Sequence, residues 1–201
     1  MDALRFLDRA FAMAVAFFTV GLTSGALLSL TIPAFREMAI TLIQFRILEP
    51  VRAATTFGTM ALLLLIFLNN SVPIMLSFAY PALIAKVQWT PPLSAQRRKI
   101  LLNTFTVLTA FLSGFFSVGM PLATFWSIRG SETLLTLLTG AWLHGPIEIA
   151  IVLLCVAEPA RLANDVSQER VLSDLRVDLR LMVASFFVLL ISAALEAVLG
   201  L

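Results

Sequence analysis

Long apolar runs separated by short charged segments are the dominant feature of this sequence. The first run covers residues 11–32 and is closed by Pro33. A hydrocarbon core of about 30 Å is crossed by about 20 apolar helical residues, so a run of this length matches one membrane span. Only 13% of the residues are charged and 60% are hydrophobic, whereas about a quarter of a soluble domain is charged. The sequence therefore predicts an all-α, polytopic transmembrane helix bundle that forms a single integral membrane domain over residues 1–201.

Five spans account for the apolar runs. The second run, 53–85, contains Asn69, Asn70 and Pro73, and a straight helix of that length would be about 50 Å long, well beyond a ~30 Å core. We therefore predict a second span that is broken at Asn69-Asn70; two short spans joined there, giving six in all, are the alternative. The predicted spans are 11–32, 53–85 (broken), 100–128, 132–158 and 181–201, with a cytoplasmic amphipathic segment over 160–180.

Positively charged residues orient the predicted bundle. Cytoplasmic loops of membrane proteins carry an excess of Lys and Arg, and residues 86–99 and 159–180 are the loops richest in them. Five spans with a cytoplasmic N-terminus and six spans with an external one both place these two loops in the cytoplasm. The charge distribution thus leaves the side of the N-terminus open.

Three ionisable residues stand out inside the predicted spans. His144, Glu148 and Glu196 occupy positions where lipid is expected, and a charged group at the bilayer centre costs roughly 2.5–3.5 kcal/mol on insertion scales. His144 and Glu148 are four residues apart and so share one helical face. Pro146, after Gly145, has no N–H to donate, so we expect a helix kink at this point.

Two interpretations of these polar residues stay open. In the functional one, His144 and Glu148 form an ion or proton site, a lipid-headgroup contact or a docking point for a partner. In the structural one, they hydrogen-bond to each other or to Asn69, Asn70 and Glu196 and hold the helices together, as interhelical polar contacts commonly do.

Gly21 and Gly25 form a G-x-x-x-G pattern in the first span. Such small residues let two helix backbones approach closely. We interpret the pattern as packing within the chain rather than as a dimerisation motif.

The sequence contains no recognisable set of catalytic or metal-binding residues. Cys155 is the only cysteine and His144 the only histidine, which excludes a disulfide scaffold and a zinc cluster built on several such side chains. No nucleophile is paired with a base, and no phosphate-binding loop is present. We expect no enzymatic activity, no cofactor and no bound metal. The basic loops are interpreted as topology signals rather than as a nucleic-acid site.

Three stretches together resemble the stage II sporulation protein M family, whose members are small multi-span integral membrane proteins. They are Phe67-Leu68-Asn69-Asn70, the HG-x-x-E form within Trp142-Leu143-His144-Gly145-Pro146-Ile147-Glu148-Ile149, and the final Ile191-Ser192-Ala193-Ala194-Leu195-Glu196-Ala197. The resemblance implies that Asn69, Asn70, His144, Glu148 and Glu196 form an intramembrane polar cluster. It also implies a membrane scaffold, which in spore formers holds two partners that degrade peptidoglycan.

Two functions follow from the sequence as competing hypotheses. The first is a non-enzymatic membrane scaffold that lies in the lipid bilayer and organises partner proteins. The alternative is a small channel or transporter, as a homo-oligomer in one version, with a midplane polar site at His144 and Glu148.

Overall fold

The structure, a computed structural model, describes residues 9–86, 93–141, 145–163 and 168–199. Every element within these ranges is helical, which confirms the all-α fold class. The elements in chain order are α1 (Arg9–Thr31), α2 (Pro33–Ile43), a first π segment (Gln44–Leu48), α3 (Glu49–Thr56), α4 (Thr59–Lys86), α5 (Ala95–Leu112), a second π segment (Ser113–Gly119), α6 (Met120–Ala141), α7 (Gly145–Val156), α8 (Glu158–Leu162) and α9 (Gln168–Leu199).

Three helical stretches in the described ranges are long and apolar enough to cross a membrane. They are Arg9–Thr31, Thr59–Ile84 and Ala95–Glu132, and a shorter apolar helix covers Leu179–Leu195. The first three overlap the first, second and third predicted spans.

The predicted break at Asn69-Asn70 is wrong, because α4 runs through both asparagines without interruption. The helix α4 is shorter than the apolar run 53–85. The first residues of that run belong to α3, and the chain turns at Gly58, where φ is +92°. Pro73 and Pro81 both lie inside α4. Prolines are tolerated in such helices where neighbouring helices and hydroxyl side chains compensate.

The end of the chain is helical over most of its described length. The expected surface segment 160–180 and last span 181–201 fall on α8 and on α9, and α9 is one helix of 32 residues. Its sequence contains neither proline nor glycine, so nothing within it ends the helix. The short helix α8 precedes it.

The fourth predicted span, 132–158, falls on two helices. The chain turns at Gly130, whose φ of +80° interrupts α6, and the second part of α6 then reaches Ala141. The next described helix, α7, begins at Gly145. Residues 142–144 lie outside the described ranges.

Very close helix packing occurs between α1 and the region where α5 meets the second π segment. A Cβ atom on Gly21 would lie 2.1 Å from the Phe111 carbonyl oxygen, and one on Gly114 would lie 2.1 Å from that of Phe18. Gly25 makes a similar approach to the backbone of Phe115. Glycines from both helices therefore let the two backbones touch. This confirms that the G-x-x-x-G pattern serves packing within the chain.

The helices run in alternating directions, which defines two ends of the bundle. Ile84 of α4, Leu102 of α5 and Leu162 of α8 form one buried cluster; we call this the Leu102 end. At this end α4 ends and α5 begins, and α8 lies beside them. The opposite end, where α1 is followed by α2 and α6 turns after Arg129, is called the Arg129 end.

Candidate functional site

A pocket of about 280 Å³ lies among α1, α2, α4, the second π segment, α6 and α7. Its polar lining consists of Asn69, Asn70, Ser113, Ser117 and Glu148, and the remaining lining is mostly apolar. We call it the polar pocket. Asn69 and Ser117 are exposed, whereas Asn70, Ser113 and Glu148 are half-buried. The pocket thus leads from the surface to a carboxyl group between helices.

Asn70 and Glu148 connect two helices across this pocket. The Asn70 Nδ2 donates a hydrogen bond to Glu148 Oε2 at 3.1 Å. Glu148 belongs to the first turn of α7. The hydrogen bond therefore joins α4 to the first described turn of α7.

The second carboxyl oxygen of Glu148 has a different environment. Oε1 is buried and has no hydrogen-bond partner among the described residues. An unsatisfied buried polar atom costs about 1–3 kcal/mol, and more for a charged group. Such an atom in the wall of a pocket is a binding position for a cation or for a hydrogen-bond donor.

The second π segment brings two hydroxyl side chains to the pocket. Ser113 and Ser117 both belong to it, and π turns inside helices are frequent at functional sites. These two serines were not among the residues predicted from sequence. Pro121 is the sequence feature that could have indicated them. It has no N–H with which to bond the Ser117 carbonyl, so a departure from α-helical geometry is expected just before Pro121.

The packing around α7 fixes the position of Glu148. Cys155, two turns further along, is fully buried against Ile74, Phe78 and Leu189, and its Sγ lies 3.2 Å from Ser185 Oγ of α9. Close to the Leu102 end, the Ala160 N–H donates to Thr106 Oγ1 at 3.2 Å. The helix that carries the carboxyl group is therefore packed against α4 and α9 near Cys155, and α8, which follows it, is bonded to α5.

Four of the residues predicted from sequence meet in this region. Asn69, Asn70, Gly145 and Glu148 all line the polar pocket. Pro146 is exposed and lies in the first described turn of α7. The expected kink involves residues 142–144, which lie outside the described ranges, and stays a prediction.

The two other predicted site residues lie outside the described part. His144 is in the stretch 142–144, and the side chain of Glu196 belongs to the end of α9 that is not described. Their membership of the cluster stays a prediction. Within the described residues, no group of three or more His, Cys, Asp and Glu side chains is placed to hold a metal ion.

No family model, curated protein or solved structure matches the chain. The resemblance to the stage II sporulation protein M family therefore stays a prediction that depends on the sequence motifs.

Proposed function

We propose that the protein is an integral membrane protein with five spans and with the loops 86–99 and 159–180 in the cytoplasm. Three candidate spans support this, together with their apolar outer surface: Val20 is 54% exposed, Leu27 62% and Met75 54%. Large apolar surfaces of this kind are typical of contact with lipid. The remaining two spans of the proposal are the chain between Gly130 and the end of α8, and α9.

The proposed activity is that of a small channel or transporter that binds a cation in the polar pocket. The observation that carries it is the buried Oε1 of Glu148, which faces no hydrogen-bond partner among the described residues. An acidic group at such a depth is usually paired or belongs to an ion or proton pathway. The amide and hydroxyl groups of the pocket supply further oxygen ligands for a cation.

Transport by purified protein in liposomes tests this function. The probes are protons, Na⁺, K⁺ and small primary amines, each followed by an encapsulated dye. We expect flux of at least one of them, and loss of most of it in Glu148→Gln, which keeps the shape of the side chain and removes its charge. Glu37→Gln is the matched control, because Glu37 is exposed on α2. The proposal is contradicted if none of the probes shows flux, or if Glu148→Gln and Glu37→Gln transport equally.

A scaffold for membrane partners is the second candidate, as the family resemblance implies. The observation that favours it is the apolar surface between α2 and α4, where Phe45 is 63% exposed and Phe57 83%. Gentle affinity purification from native membranes tests it. A stoichiometric partner that Phe57→Glu releases and Glu148→Gln retains supports the scaffold. A homo-oligomer without a partner favours the channel or transporter.

A further inference from the structure

A second cleft lies at the Arg129 end of the bundle, and Ile43 lines both it and the polar pocket. It has a volume of about 310 Å³ and separates the segment from α2 to α3 from the part of α6 before Gly130. We call it the interfacial cleft. Its polar lining consists of Gln44, Glu49, Arg52, Thr124 and Arg129.

The chain path explains how these residues come together. Pro33 starts α2 directly after α1, and Arg36 bonds back to the last turn of α1, with its Nη2 3.2 Å from the Leu30 carbonyl oxygen. The segment that follows therefore stays close to the bundle. Arg129 ends the helical run that begins at Ala95, immediately before the turn at Gly130. The cleft accordingly sits where a candidate span ends, which is the headgroup region of a bilayer.

The walls of the cleft are apolar and its mouth is positively charged. Ile43, Phe125 and Ile128 contribute apolar surface. The lining contains two arginines, Arg52 and Arg129, and one carboxylate, that of Glu49. The Glu49 carboxylate accepts a 3.5 Å hydrogen bond from Gln44. An apolar wall beside two arginines suits an anion that carries a hydrocarbon chain.

A buried hydroxyl group adds an independent indication of a ligand. Thr124 is only 1% exposed, it lines the cleft, and its Oγ1 has no hydrogen-bond partner among the described residues. A hydroxyl group that is desolvated without a partner is destabilising. A phosphate oxygen in the cleft would accept its hydrogen.

We propose that the interfacial cleft binds the phosphate headgroup of an anionic phospholipid from the leaflet at the Arg129 end. Arg52 and Arg129 bind the phosphate oxygens through charge-assisted hydrogen bonds. Thr124 donates its hydroxyl hydrogen to the same group, and the apolar wall contacts the first part of the acyl chains. This site is independent of the cation proposed at Glu148.

Native mass spectrometry of the full chain in neutral detergent tests the proposal. The probes are phosphatidylglycerol, phosphatidylcholine with the same acyl chains, and inorganic phosphate. We expect phosphatidylglycerol to bind more tightly than phosphatidylcholine. The double variant Arg52→Gln/Arg129→Gln should weaken its binding about tenfold or more, as expected for the loss of a charge-assisted hydrogen bond.

Two further variants keep the result interpretable. Thr124→Val removes only the hydroxyl group at nearly constant volume and should weaken phosphatidylglycerol binding several-fold, even where the double variant fails to fold. Arg180→Gln removes the same charge from an exposed position on α9 and should leave binding unchanged. Equal binding of the two lipids overturns the proposal, as does wild-type binding by Thr124→Val, or inorganic phosphate binding as tightly as phosphatidylglycerol.

Discussion

Asn70 and Glu148 are 78 residues apart in the chain, yet the amide of one donates to the carboxyl group of the other at 3.1 Å. The bond joins α4 to α7 beside the polar pocket. It leaves the second carboxyl oxygen of Glu148 without a hydrogen-bond partner among the described residues, which is the oxygen that the proposed cation would contact. The structural and functional interpretations of these polar residues are therefore compatible.

The strength of this bond is measurable by a double-mutant cycle. We expect Asn70→Leu and Glu148→Leu to show a coupling free energy of about 1 kcal/mol, in the range found for interhelical hydrogen bonds in membranes. Unfolding of the two single variants and the double variant in mixed micelles provides the measurement. Additive effects of the two substitutions would show that the contact contributes nothing to stability.

The contact between α1 and the second π segment should tolerate no added atom. We expect Gly114→Ala to destabilise the fold by about 1–3 kcal/mol, because overpacking forces backbone shifts, and the new Cβ would meet the Phe18 carbonyl oxygen at 2.1 Å. Thermal unfolding in detergent provides the measurement. Ala16→Ser, which adds one atom at an exposed position of α1, should leave the midpoint unchanged. A stable Gly114→Ala variant would contradict the described packing.

The ion pair at the Leu102 end should be sensitive to the loss of one member. Arg161 Nη1 lies 2.7 Å from Glu158 Oε2, and the Glu158 side chain is only 3% exposed. We expect Arg161→Met to cost about 3–5 kcal/mol, because it leaves a buried carboxylate without its cation. Adding Glu158→Gln should restore part of the lost stability, as measured by thermal unfolding. Arg180→Met serves as the control for charge removal, and an equal effect there would contradict the account.

Thiol labelling should distinguish the interior of the bundle from its surface. Cys155 is fully buried and is the only cysteine, so a maleimide should label the native protein slowly and the denatured protein fully. Phe57→Cys introduces a second thiol at a position that is 83% exposed, and this variant should gain one rapidly labelled site. Rapid labelling of the wild-type protein in its native state would show that α7 is not packed as described.

Much of the polar pocket could be predicted from the sequence, because polar side chains in apolar runs are costly and therefore associate. The structural interpretation used this ground to bring Asn69, Asn70 and Glu148 together, the family resemblance implied the same cluster, and all three line the pocket. Ser113 and Ser117 were not predicted, because serine is common in spans and its position here depends on a π turn.

The helix boundaries were less predictable than the fold class. An asparagine pair in an apolar run is a reasonable break signal, but α4 continues because Ile74 and Phe78 are buried against α7 and α9. These contacts come from residues distant in sequence, which local patterns do not contain. The continuity of α9 is a different case. It could have been predicted from the sequence, because the helix contains neither proline nor glycine.

The central claim is that Glu148 holds a cation in the polar pocket, and cation-dependent thermal stability tests it most directly. The melting temperature of wild-type protein, Glu148→Gln and Glu37→Gln would be measured in detergent across Na⁺, K⁺, divalent cations and small amines at constant ionic strength. If Glu148 holds a cation, at least one cation should stabilise the wild type and Glu37→Gln and have no effect on Glu148→Gln. Equal stabilisation of all three proteins, or none in any, would contradict it.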